Sequence, residues 1–336
     1  MPGRLLTLSR ALAGVAAICW SGSAAAQPPP TADGHPALEG IWTNNAATPL
    51  ERPDVLKDRP RLTDDEVRIL QARAARYAAD NRNDFAAGDN HFLAIWTGAD
   101  RTKFPNATGG SEQLIEKIFE NRTSLIIDPP DGRVPARTPE GQRRWNVQRE
   151  QLVAAHPDGP EDLPAHVRCI TYGVPRLGGN STDYSNYYQI VQTRDYVVIY
   201  GEAIHDARVI PLDGRPHLPA TVRRWNGDSV GRWDGQTLVV DTTNFSPNSR
   251  FQGAAENLHL VERFTRVADD VIDYEIRLDD ATTWTRPWTA LIHLRQSSDT
   301  LYEFACHEGS GAVIEGVLKG ARAVERAADE AKRRRD

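Results

Sequence analysis

The chain has 336 residues, 40 Lys and Arg against 46 Asp and Glu, and a formal net charge of −6. An acidic chain with no continuous basic face argues against a nucleic-acid partner. At 40% hydrophobic residues it can bury a sizeable core, enough for one large domain or two modest ones.

The first 26 residues read as an address. Arg4 and Arg10 give a basic start, Ala11 to Trp20 a short apolar run, and Ala24-Ala25-Ala26 an A-x-A cleavage site, the pattern of a secretory signal peptide. The apolar run is about half of the roughly 20 residues a membrane span needs, so an anchor is the weaker reading, as is a lipoprotein built on Cys19. No later segment is long and apolar enough to span a bilayer. The expected location is therefore a bacterial periplasm. Cleavage would remove Arg4 and Arg10, making the mature chain two units more negative, and would leave Cys169 and Cys306. In an oxidising compartment two cysteines are read first as a disulfide, with a nucleophilic thiol beside His307 as the alternative.

Residues 27–38 are Pro-rich and are expected to be a disordered linker. Residues 39–160 form a helical and irregular region that packs on a sheet. Gly40 to Thr43 reads as a strand. Leu62 to Ala79 reads as a helix, capped by Thr63 with Asp64, Asp65 and Glu66 in its first turn. A polar excursion from Asp80 to Gly110 and a short helix near Ser111 to Glu120 follow. Thr123 to Ile127 is a strand stopped by Asp128-Pro129-Pro130-Asp131-Gly132, and Thr138 to Ala155 is a helix with Pro139 in its first turn.

Residues 161–308 carry the β core. Tyr187–Thr193 and Tyr196–Glu202 are split by Arg194-Asp195, and Ser229–Trp233 and Gln236–Thr242 are joined through Asp234-Gly235. Leu258–Val267 turns into Val271–Asp279, and Trp288–Arg295 is expected to turn at Ser297-Ser298-Asp299 into a last strand, Thr300–Ala305. Successive hairpins argue for a mainly β, α+β fold with flanking helices. Its antiparallel meander would be closed as a barrel or folded as a sandwich, lipocalin-like in general architecture. Residues 309–336 read as a C-terminal helix and a basic tail.

The stretch Tyr196 to His217, YVVIYGEAIHDARVIPLDGRPH, inserts Glu202, His205, Asp206 and Arg208 into a strand-forming segment, where titratable groups are costly unless paired, hydrated or used. Read as one continuous strand, it places Tyr196, Tyr200, Glu202, Asp206 and Arg208 on a common face. His259 faces opposite to Leu258, Leu260 and Glu262. Cys306-His307-Glu308 ends the expected last strand, so His205, His259 and His307 could converge at one mouth.

That convergence supports a metal-free acid–base site. His205 would be the general acid or base, Asp206 or Glu202 its partner, Tyr187 or Tyr200 a second proton donor, and Arg208 the anchor for a substrate anion. His217, His259, His307, Trp233 and Trp288 complete the expected substrate-binding set, with Trp225 and Trp284 as further members of a stacking platform. The competing explanation for each histidine is a satisfied structural one, and for the tryptophans core and rim packing. Three histidines with Asp206 or Glu308 would also make an adequate zinc set, yet no compact His spacing supports one, and no metal ligand or other cofactor is expected. There is no G-x-S-x-G elbow and no phosphate-binding glycine motif.

The segments RTSLIIDPPDGRVP, GRWDGQTLVVDTTNF, ENLHLVERFTRV, TTWTRPWTA and YEFACHEG, with IHDARVIPLDGRPH, resemble a large family of exported, uncharacterised bacterial proteins over most of the chain from about Ile41 to Ala321. The resemblance implies a secreted β-rich protein and supplies no catalytic residue. Three functions stay open: a periplasmic lyase, isomerase or hydrolase acting on a small organic or carbohydrate substrate; a non-catalytic barrel that carries a small hydrophobic or glycan ligand; and a structural envelope protein. The sequence leaves oligomeric state open.

Overall fold

The computed structural model describes residues 30–79, 92, 95–97, 118–153, 157–175, 177 and 187–334. The signal segment at residues 1–26, most of the excursion from 80 to 110, and the short helix expected from 111 lie outside the described residues, apart from 118–120. Those three are not helical: Ile118 forms a bridge with Ala46.

The sheet is antiparallel throughout. β1 (Gly40–Thr43), β3 (Tyr187–Gln192), β4 (Tyr196–Gly201), β5 (Asp206–Pro211), β6 (Asp228–Asp234), β7 (Thr237–Thr243), β8 (His259–Ala268), β9 (Val271–Asp279) and β10 (Trp288–Ser297) lie in the order 5-4-3-1-10-9-8-7-6. Apart from β1, which joins β3 to β10, this is a simple up-and-down meander. β5 and β6 then lie side by side, so the sheet curls into a barrel with one unladdered seam. The seam is tight: a Cβ on Gly231 of β6 would sit 2.7 Å from Leu212 and 2.9 Å from Ile210. A short β2 (Ile126–Asp128) shares an edge of β10 with β1. The expected antiparallel meander holds, and of the two closures left open, barrel or sandwich, the sheet takes the barrel.

Alternation explains why these strands form. In β9, Ile272, Tyr274, Ile276 and Leu278 face inward and are buried, while Asp273, Glu275, Arg277 and Asp279 face out. The Asp234-Gly235 turn has Gly235 at φ 60°, which glycine adopts without a Cβ penalty. A second, smaller core of Leu56, Leu62, Leu70, Phe92, Ile95 and Phe119 lies under α1 (Asp64–Ala79). Thr63 caps this helix reciprocally. Its Oγ1 accepts from the Glu66 amide at 3.2 Å, and Glu66 Oε2 accepts from the Thr63 amide at 2.8 Å. In α2 (Pro139–Val153), Thr138 Oγ1 accepts from the Gly141 amide at 3.0 Å. Gly141 is obligatory there, because a Cβ would lie 2.4 Å from the Thr283 carbonyl oxygen.

Three expectations are corrected. Residues 30–38 are not a disordered stretch: Thr31 and His35 close a turn, His35 stacks on Trp233 at 4.4 Å, and Leu38 is fully buried. Thr300–Ala305 is not a strand, because the edge of β10 it would need is occupied by β1 and β2. The C-terminal helix, α3, therefore starts at Cys306 and runs to Arg333. Tyr196–Arg208 is not one strand. It breaks at residues 203–205, where Ile204 and His205 adopt left-handed φ of 63° and 51°, and the chain returns as β5 with Gly201 opposite Asp206. The Cys169–Cys306 disulfide is present, across a sequence separation of 137.

Candidate functional site

The turn at Ile204 decides where the polar residues go. Tyr196 and Tyr200 stay on the outer face of β4, whose inward positions are Val197, Ile199 and Gly201. The reversal brings Arg208 into the barrel, so the expected common face of tyrosines, acid and guanidinium is split across the wall. Inside, Arg208 meets Glu262 of β8 in a two-pronged pair, Nη1–Oε1 at 2.9 Å and Nη2–Oε2 at 2.5 Å. The same guanidinium donates across the seam to Ser229 at 3.2 Å and Thr242 at 3.3 Å, and the Tyr274 hydroxyl donates to Glu262 at 2.5 Å.

Glu262 is fully buried and the Arg208 side chain is 9% exposed. Burial works against the charge on Arg208, but the adjacent Glu262 carboxylate wins and raises the guanidinium pKa. Burial and the same carboxylate push the Tyr274 phenol well above its ordinary value. A neutral phenol donating to a paired carboxylate is a matched network, with only Arg208 Nε lacking a partner. The space left beside it is a cavity of about 30 Å³, walled by Tyr188, Ile190, Ile199, Phe264 and Leu294. That is room on the order of one water-sized probe.

A larger cavity of about 280 Å³ lies over the end of the barrel and adjoins the first at Gly173 and Val174. The segment 161–174, the β7–β8 connection from Phe245 to Leu258, Trp225, and Trp145 and Gln148 of α2 enclose it. Its wall is aromatic and aliphatic, with Trp145, Tyr172, Trp225, Phe245, Phe251 and Leu258, and four charged residues, Glu161, Asp162, Arg168 and Arg250, are set into it. The disulfide tethers this wall through Cys169. His166 stacks on Tyr172 at 5.3 Å, and burial lowers its pKa.

The residues expected to form a catalytic group are distributed otherwise. His205 is exposed in its turn. The Asp206 carboxylate accepts from Asn226 Nδ2 at 2.8 Å and from the Thr171 hydroxyl. Glu202 accepts from the Tyr302 amide at 2.9 Å. Tyr187 donates to Asp299 at 3.1 Å, and burial with that carboxylate raises its pKa. His307 is exposed in the first turn of α3. His217 and His259 do meet, though at the outer wall: Asp241 Oδ1 lies 3.1 Å from His217 Nε2 and 3.0 Å from His259 Nε2, and Asp228 holds His217 Nδ1 at 3.1 Å. The hydrogen bond to Asp241 raises the His259 pKa against its partial burial. Among the described residues no group of three or more His, Cys, Asp or Glu is arranged to hold a metal ion.

Trp288 is completely buried, edge-on to Trp284 at 5.6 Å, and Trp233 packs against the core under His35, so neither is the expected stacking platform. Trp225 alone of the four named tryptophans lines the larger cavity. Sequence reasoning placed Glu262 on the Leu260 face but gave it no role. Its signal is a carboxylate between Leu260 and Phe264 on the inward positions of β8. Arg168 and Arg250, in irregular connections, gave none.

Among the described residues no helix is long and apolar enough to cross a membrane. No family model matches this chain, and no curated protein matches it. Among solved structures the chain is similar to a crystal structure of a variant of the fluorescent protein UnaG, with 13% identity and a TM-score of 0.24, over 40% of this chain and 86% of that chain.

Proposed function

We propose that this protein is an exported, non-catalytic β-barrel that binds a small, largely apolar organic ligand in the cavity at the barrel end. The observation that carries the reading is the contrast in space. The barrel interior is filled by side chains around a satisfied ion pair, whereas the end cavity offers about 280 Å³ against an aromatic wall. Its size is close to the lower bound of about 300 Å³ for small-molecule sites, and its mixture of apolar wall and few polar groups is typical of them. Export is supported by the A-x-A signal pattern and by the disulfide, and we extend the proposal to the exported family that the motifs resemble.

The acid–base reading has less support. A general base needs an orienting partner and access to substrate, and the expected partners of His205 are engaged elsewhere.

Titration with N-phenyl-1-naphthylamine, a neutral probe that fluoresces in apolar surroundings, tests the proposal. Saturable binding at one site is expected, and Ala255→Trp, which fills the cavity from its wall, should weaken it about tenfold or more with unchanged thermal unfolding. Absence of saturable binding, or binding indifferent to Ala255→Trp, overturns it.

A further inference from the structure

Two cationic side chains in the end cavity, Arg168 half-buried and Arg250 exposed, make none of the side-chain pairs that the buried arginines of this fold make among the described residues. Arg208 is matched by Glu262, Arg122 by Glu120, and Arg52 by Thr123 and the Pro130 carbonyl. Arg168 and Arg250 both line the cavity, and neither makes a side-chain hydrogen bond or ion pair among the described residues. Arg168 Nε is buried with no acceptor, and its guanidinium carbon lies 5.8 Å from the centroid of the Trp225 ring. Arg250 is near enough to feel it: burial, then repulsion from Arg168, lowers the Arg250 pKa.

The acids in the same wall compensate only in part: the Asp162 charge opposes the lowering on Arg250 without cancelling it. Asp162 Oδ2 accepts from the Asp158 and Gly159 amides at 2.8 and 3.2 Å, which fixes it in its own turn, and Glu161 folds back over Gly159. Two like charges, partly desolvated and unpaired, raise the free energy of the empty cavity. An anion between them would lower it by supplying charge-assisted hydrogen bonds to both guanidiniums. Trp225 and Phe245 beside them offer flat apolar surface to whatever carries that anion.

We propose that the cavity recognises an aromatic or similarly flat apolar molecule bearing one anionic group, a carboxylate or sulfonate, which docks between Arg168 and Arg250; this rests on the cavity being the ligand site. The two guanidiniums select the charge and the aromatic wall selects the body.

Two probes that share one skeleton separate these layers: N-phenyl-1-naphthylamine, neutral, and 1-anilinonaphthalene-8-sulfonate, which adds the anion. The sulfonate should bind about tenfold tighter or better, at one equivalent per chain. Arg168→Gln and Arg250→Gln should each weaken the sulfonate about tenfold while changing the neutral probe less than about twofold, and added salt should weaken only the sulfonate. Because Arg250 is exposed at the rim, Arg250→Gln tests the inference even if Arg168→Gln disturbs the fold. Equal affinity for both probes, or variants that weaken both alike, overturns the anion site and leaves the cavity reading intact. If neither probe binds, both fall.

Discussion

The two cavities of this barrel solve opposite problems with the same residue type. In the interior, Arg208 is matched by a buried carboxylate and two hydroxyls, a phenol donates to the same carboxylate, and almost no free space remains. At the barrel end, Arg168 and Arg250 line open volume and make no side-chain hydrogen bond or ion pair among the described residues. A charge paired with a carboxylate inside the protein is structural. One left unsatisfied beside an apolar wall is available to a ligand. Proximity to a cavity therefore does not mark an arginine as functional; the lack of a carboxylate partner does.

The largest effect expected from breaking this contrast comes from the interior. Glu262→Leu would strand Arg208 in the barrel, and loss of one partner of a buried pair costs about 3–5 kcal/mol. Urea unfolding should register that drop, and Arg208→Met combined with Glu262→Leu should recover most of it. A single-variant loss below about 1 kcal/mol, the scale of exposed pairs, would show that the network is not structural.

Next in size is the tether of the end cavity. Replacing Cys169 and Cys306 with Ser frees a loop that spans a separation of 137 residues and should cost about 2–4 kcal/mol of stability. It should also weaken the sulfonate probe, because Arg168 adjoins the tether. Probe affinity unchanged in the Ser variant would detach the disulfide from the cavity.

An intermediate case on the outer wall sharpens the comparison. His293 is clamped by Asp273 at 2.6 Å and Glu120 at 3.2 Å, which raise its pKa to about 9. A raised folded pKa contributes stability that is complete below the ordinary value of 6.5 and is lost as pH climbs through about 9. Glu120 is the converse. Burial opposes its charge, but His293 and Arg122 hold its pKa at about 2, so its contribution is present above 4.5 and lost as pH falls through about 2. The stability difference between the protein and His293→Gln should therefore be greatest between pH 4.5 and 6.5 and vanish by about pH 10. A pH-independent difference would exclude the imidazolium clamp.

Much of the barrel could be read in advance because hairpins are local. β3–β4, β6–β7 and β8–β9 each follow from alternation around a short turn, and the alternation also put Glu262 inward. What escaped was either unannounced or distant. Ile204 and His205 reverse the chain without Gly, Asn or Asp to mark a left-handed turn, so the expected common face of Arg208 with Tyr196 and Tyr200 fails: the arginine lies inside and the tyrosines outside. Thr300–Ala305 has the composition of a strand, yet the neighbouring position on β10 is taken by residues more than 250 positions earlier in the chain. Trp288 looked available to a ring because burial by Phe251 and Trp284 depends on packing that no local pattern encodes.

The placement of β1 has a consequence for how the molecule is assembled. Gly40–Thr43 pairs with residues 187–190 on one side and 295–297 on the other, so this four-residue segment is the keystone between the first and last strands of the meander. Its partners arrive late in the chain, and until β1 has docked between them, the facing edges of β3 and β10 present unpaired backbone. Such long-range pairing slows folding and prolongs the exposure of those edges. The chain is thus committed to its cylindrical form by its earliest strand, but only after its last one exists.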